Sequence, residues 1–148
     1  MKNIVLSTES VALHVRRGDY ISDELKGYYF QVDMDYYEKA MNYMSNKIEN
    51  PVFYIFSDDI PYCKQAFANY NNVVYIDSQN SASLYEDFEI MRNCKNFIIP
   101  NSTFSWWAAY LSDVSNEKIV ITSKNWYYDK ELNKTCIEAM CLPDWIQL

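Results

Sequence analysis

The sequence predicts an α/β domain: a parallel sheet of about five strands with helices on both faces. Three observations point that way. Compact β-branched and aromatic runs, of which Val52-Phe53-Tyr54-Ile55-Phe56 is the clearest, alternate with stretches whose apolar residues recur at helical period. No hairpin dipeptide joins one strand to the next, so successive strands must be linked by crossovers. At 148 residues, 49% of them hydrophobic, the chain has the length and the apolar content for one core, and no low-complexity linker divides it.

The elements follow in order. Residues 1–10 are polar and mixed, a lead-in. Val11-Ala12-Leu13 ends a buried strand that delivers His14-Val15-Arg16-Arg17-Gly18-Asp19-Tyr20. Residues 21–32 read as a loop. Asp33 or Asp35 then caps a helix whose apolar face is Tyr37, Ala40, Met41, Met44 and Ile48, and Pro51 stops it. The strand at 52–56 ends in Ser57-Asp58-Asp59, and Pro61 suits the first turn of a helix to about Asn69. Val73-Val74-Tyr75-Ile76 is a third strand. Ser83 and Glu86 have capping-box spacing and open a helix to about Asn93 that buries Leu84, Phe88 and Met91. Phe97-Ile98-Ile99 is the fourth strand. A helix over 104–111 follows it, with Ser102 or Thr103 as cap and Trp106-Trp107 read as core. Ile119-Val120-Ile121 is the fifth, and residues 126–148 wrap back as short helix and loop.

Composition narrows the function. A formal net charge of -7 argues against nucleic acid or an anionic membrane surface as a general partner. No apolar run reaches the length of a membrane span, and the first residues form no signal-peptide core. Four cysteines without a paired C-x-x-C, beside a single histidine, make a zinc site improbable; free thiols in a reducing cytoplasm are expected. The two N-x-[ST] triplets, at Asn101 and Asn133, read as coincidence.

Ligands of open parallel sheets bind beyond the carboxyl ends of the strands. There the chain gathers His14 and Arg16-Arg17, Ser57-Asp58-Asp59, Asp77-Ser78, Asn101-Ser102-Thr103 and Thr122-Ser123-Lys124. Two glycines in the whole chain exclude the dinucleotide and P-loop phosphate cradles. An arginine fork and the N–H groups of a helix start, with the hydroxyls of Ser102, Thr103 and Ser105, suit a diphosphate without a metal. Asp58 and Asp59 have three readings: a divalent ion held through phosphates, acceptance from a guanine edge, or a helix cap, which ranks first for Asp59. His14 alone is more often a satisfied core residue. Arg17-Gly18-Asp19 also spells an adhesion tripeptide, a match that arises readily by chance.

His14 to Tyr20, then Phe56-Ser57-Asp58-Asp59, then Cys94-Lys95 and Asn101 through Ala109, closely resemble the bacterial α-1,2-fucosyltransferases over roughly residues 8–126. The resemblance implies a paired-Rossmann (GT-B) inverting transferase. Such an enzyme moves L-fucose from GDP-β-L-fucose to the 2-hydroxyl of a galactoside in a glycan, with no metal or other cofactor. It also implies that residues 1–148 are the donor-binding half, without the amino-terminal acceptor domain. GDP-fucose and a galactose-containing glycan become the expected partners, and a cytoplasmic location with peripheral membrane association of the full-length protein follows. Carried over, His14 and Asp58 or Asp59 face guanine, and Arg16 binds diphosphate. Arg17 shares that task or organises the loop. Ser57, Asn101, Ser102, Thr103 and Ser105 line the donor site. Arg16, Arg17 and Asp19 are the catalytic candidates, Asp19 as the nearest carboxylate for a base, with pairing to Arg17 as its alternative. A GDP-sugar-binding module without catalysis of its own is the second expectation, and an adhesion domain the third.

Overall fold

A computed structural model describes residues 1–148, the side chain of Asp19 excepted. Six parallel strands form one sheet: β1 (Ser10–Val15), β2 (Val52–Ser57), β3 (Val73–Tyr75), β4 (Asn96–Ile99), β5 (Val120–Thr122) and β6 (Ile146–Gln147). Their order across the sheet is β3-β2-β1-β4-β5-β6. The chain winds outward from β1 in one direction to β3, then returns to the other side of β1 for β4. The order therefore reverses between β1 and β4, and the diverging connections leave a crevice at that point.

The helices are α1 (Lys2–Ser7), α2 (Met34–Lys47), α3 (Ile60–Ala66), α4 (Leu84–Arg92), α5 (Thr103–Leu111) and α6 (Lys130–Met140). Alternation along the central strands divides the core in two. Val11, Leu13, Val15, Phe53 and Ile55 point to the face covered by α2 and α3, with Tyr37, Met41, Met44 and Phe67. Ala12, Tyr54 and Phe56 point to the other, where Ile90, Met91, Trp106 and Ala109 of α4 and α5 pack. Both faces of the sheet are dry, and this is why its strands read as continuous apolar runs.

Local signals place most boundaries. The side chains of Asp33, Asp59, Ser83 and Asp129 each accept a backbone N–H in the first turn of α2, α3, α4 and α6. Five expectations need correction. The lead-in contains α1, which buries Val5, and the tail adds β6 on the edge of β5. α3 ends at Ala66, short of Asn69. Leu84 is 68% exposed, since the first residue of α4 lies over the crevice mouth and not over the sheet. Only one of the two tryptophans is core: Trp106 donates its ring N–H to the Met140 carbonyl at 2.6 Å, while Trp107 is half exposed.

Candidate functional site

The crevice between β1 and β4 opens into a cavity of about 450 Å³, a size usual for small-molecule sites. Across the sheet edge it is lined by Phe56 and Ser57 at the end of β2 with Asp58 beyond, His14 at the end of β1 with Arg16 beyond, Asn101 to Phe104 after β4, and Trp126 and Tyr127 after β5. Leu84 and Asp87 of α4 close one end, and Tyr20 and Tyr29 close the other. Arg16 and the start of α5 stand between.

Asp58 builds the arginine loop. Its Oδ1 accepts the Arg17 N–H at 2.9 Å, and its Oδ2 accepts the Gly18 N–H at 2.9 Å and pairs with Arg16 Nη1 at 2.9 Å. One carboxylate thus fixes two consecutive amides and one guanidinium. A Cβ on Gly18 would come within 2.6 Å of Asp58 Oδ2, so the close approach requires glycine. Arg16 keeps about a third of its side chain exposed and faces the cavity.

Arg17 points elsewhere. Its guanidinium lies over the Tyr62 ring, 3.6 Å from the centroid, and Nε reaches Asp59 Oδ2 at 3.2 Å. Asp59 Oδ1 accepts from Tyr62 N–H, capping α3. So placed, Arg17 organises the loop, the second of its two expected roles, and its guanidinium lies away from the cavity. Asp59 likewise directs both oxygens to protein partners. Neither lines the cavity. The same contacts hold the Arg17-Gly18 pair against β2 and α3, not on a projecting adhesive loop. Asp19, expected as a catalytic carboxylate, has its side chain outside the described residues.

His14 is buried, and its Nδ1 lies 2.9 Å from Ser105 Oγ of α5. That hydroxyl donates to the Ser102 carbonyl at 3.3 Å, so it accepts from Nδ1–H and leaves Nε2 as the acceptor. Burial pushes the imidazole down to about 4; the Asp58 carboxylate opposes the shift and the Arg16 charge adds to it. His14 is neutral at physiological pH, both a core residue and a lining one. Ser105 has no place on the cavity wall and reaches it only through His14.

Ser102 precedes α5, but its side chain caps nothing. The first backbone bond into the helix runs from Trp106 N–H to the Ser102 carbonyl. The N–H groups of the first turn are thus left without helical partners at the positive end of the dipole, where Ser102, Thr103 and Phe104 line the cavity. Asn101 is used differently from expectation. It is 2% exposed, and its Nδ2 donates to the Phe30 and Trp126 carbonyls at 3.0 and 2.8 Å. It ties two loops to the helix start. The Ser57 hydroxyl accepts the Asp59 N–H at 2.9 Å and shapes the turn after β2.

Two contributions escaped sequence reading. Asp87 brings a carboxylate to the cavity with no hydrogen bond or ion pair of its own among the described residues; a first-turn acid on a capped helix gives no signal beyond dipole compensation. The tyrosines of 20–29 and 126–128 meet only through tertiary pairing.

These features define a doubly wound, Rossmann-like α/β domain with a polar cavity at the switch point. The chain belongs to glycosyl transferase family 11, whose model matches residues 3–148, a family of α-1,2-fucosyltransferases. It is 34% identical over 148 residues to the O-antigen biosynthesis glycosyltransferase WbnK of Escherichia coli, covering 99% of this chain and 47% of that protein. It is 32% identical to an α-1,2-colitosyltransferase of Escherichia coli, covering 100% of this chain and 50% of that protein. It is 31% identical to galactoside α-(1,2)-fucosyltransferase 2 of Bos taurus, covering 92% of this chain and 40% of that protein. The chain thus spans half or less of the length of these relatives. Among solved structures it is similar to the fucosyltransferase NodZ from Bradyrhizobium, with a TM-score of 0.45 and 14% identity over 70% of this chain and 35% of that one. Among the described residues no helix is long and apolar enough to cross a membrane.

Proposed function

We propose that this domain binds a GDP-activated 6-deoxyhexose, GDP-β-L-fucose first, for inverting transfer of the sugar to the 2-hydroxyl of a galactoside in a glycan. One observation carries the reading: Arg16 and the open first turn of α5 face one cavity at the switch point. A fixed guanidinium and a row of N–H groups stabilise negative charge as it develops on a departing diphosphate, and loss of one such preorganised donor typically costs about 10²–10³ in rate. Asp58 supplies the counter-charge that keeps the fork aimed before the ligand arrives. The guanine lies on the β2 flank between Phe56 and Phe104, where the Asp87 carboxylate accepts from its N–H groups.

Titration of the chain with GDP tests this. Binding is expected, is lost in Arg16→Ala, and is the same with magnesium or with a chelator. Failure of wild type to bind GDP overturns the reading, and equal affinity for ADP removes the guanine assignment.

Two observations favour narrower alternatives. A relative named for colitose makes that sugar, which lacks the 3-hydroxyl of fucose, a second donor to assay. The chain's share of its relatives' length favours a donor-binding unit that needs a further domain for the acceptor. Comparing transfer to a β-galactoside by this chain and by a full-length relative separates binding from catalysis.

A further inference from the structure

The cavity is asymmetric about its anion site. Carboxylates stand on the β2 flank, and on the β5 flank Tyr20, Tyr29 and Tyr127 form a continuous aromatic shelf. Tyr20 and Tyr29 stack with centroids 4.5 Å apart and planes 8° from parallel, and Tyr127 lies 5.5 Å from Tyr29. Protein hydrogen bonds hold the shelf. The Tyr20 hydroxyl donates to the Asn101 carbonyl at 2.7 Å, Phe30 N–H to the Trp126 carbonyl at 3.0 Å, and Tyr128 N–H to the Tyr28 carbonyl at 3.2 Å. Tyr29 and Tyr127 themselves pair as an antiparallel bridge. Their side chains remain half-buried, and their hydroxyls have no hydrogen-bond partner among the described residues.

We propose that Tyr29 and Tyr127, backed by the Tyr20 ring that Arg16 overlies, seat the 6-deoxy sugar ring of the donor. The inference rests on the nucleotide-sugar reading above and adds to it the residues that distinguish the sugar. A diphosphate held by Arg16 and α5 has a base at one end and a sugar at the other, and the two flanks offer each a different surface. Guanine presents N–H donors, which suit the acidic flank. A 6-deoxyhexose presents a face of C–H bonds and a methyl group, which suit the negative faces of aromatic rings. The two unpaired phenol groups then meet the ring hydroxyls. Because the shelf is prearranged, little ordering opposes binding.

Calorimetric titration of the 148-residue chain with GDP and with GDP-β-L-fucose tests the assignment. In Tyr29→Ala and Tyr127→Ala, affinity for GDP should stay within about twofold of wild type, and affinity for GDP-fucose should fall about tenfold. Tyr29→Phe should keep most of the discrimination. Equal losses for both ligands would mean that the shelf holds the base or only the fold, and no loss for either would mean that it holds nothing; each overturns the proposal. Wild type adds a readout independent of folding defects. GDP-L-galactose, with a hydroxyl on C6, should bind about tenfold more weakly than GDP-L-fucose, and equal affinity overturns the shelf while leaving the nucleotide site intact. Absence of GDP binding by wild type would instead remove the site itself.

Discussion

His14 Nδ1 and Ser105 Oγ, ninety-one residues apart, meet at 2.9 Å across the point where the strand order reverses. The bond joins the end of β1 to the first turn of α5, and so ties the arginine loop to the helix start. Its histidine is held neutral because it is buried. The unfolded chain protonates it near the ordinary value of 6.5, and the folded chain only near 4.

Stability should therefore depend on pH through this residue. Above 6.5 both states are neutral and the linkage is absent; between 6.5 and about 4 the unfolded state takes up the proton first, so stability falls with pH. The loss amounts to roughly 3 kcal/mol at most. Urea unfolding at pH 7 and pH 4.5 measures it, and His14→Gln should lose stability at pH 7 but show a smaller drop between the two.

Gly18→Ala should disturb the loop through its Cβ. The methyl would meet Oδ2 of Asp58, a carboxylate that three bonds hold in place, so it must leave the Gly18 N–H. A hydrogen bond to a charged group contributes about 1.5–3 kcal/mol, and a loss of that order is expected in chemical unfolding. GDP affinity should drop with it, since Arg16 loses its guide.

Arg16→Lys should fail to restore what Arg16→Ala removes. An ammonium is a point charge without the planar fork that grips two oxygens and answers Asp58 at the same time. Titration with GDP would show near-complete loss in both variants; wild-type affinity in the lysine variant would count against bidentate recognition.

Asn101→Ala should loosen the aromatic side of the cavity. The Phe30 and Trp126 carbonyls lose the donor they share, at a cost of about 1–3 kcal/mol. Hydrogen exchange should rise in residues 28–30 and 126–128 before it rises in the strands. Unchanged exchange there would show that the backbone pairing of the two loops suffices alone.

Arg17 and Asp59 show where sequence reasoning stops. Adjacent arginines look equivalent on paper, yet neighbouring residues leaving a strand point to opposite sides of the sheet. Arg16 faces the crevice, while Arg17 falls over Tyr62. The capping role of Asp59 was legible from Pro61 and the helix that follows; its bond to Arg17 was not, because the partners are forty-two residues apart. The two-residue strand β6 was illegible for a related reason: its pairing with β5, and no local propensity, makes it a strand.

What the sequence determined by itself is the order of the strands and helices from β1 to β5, the helix caps Asp33, Asp59 and Ser83, and the strand ends that carry polar groups. Those are local properties, set by side-chain periodicity, by turn residues and by the backbone donors that a helix start leaves open. Only the tertiary structure decided which strand lies beside β1, and with it which groups share the crevice. The separation of carboxylates on one flank from tyrosines on the other also arose there. Pairing across long stretches of chain depends on how two apolar faces bury each other, and no window along the sequence contains both.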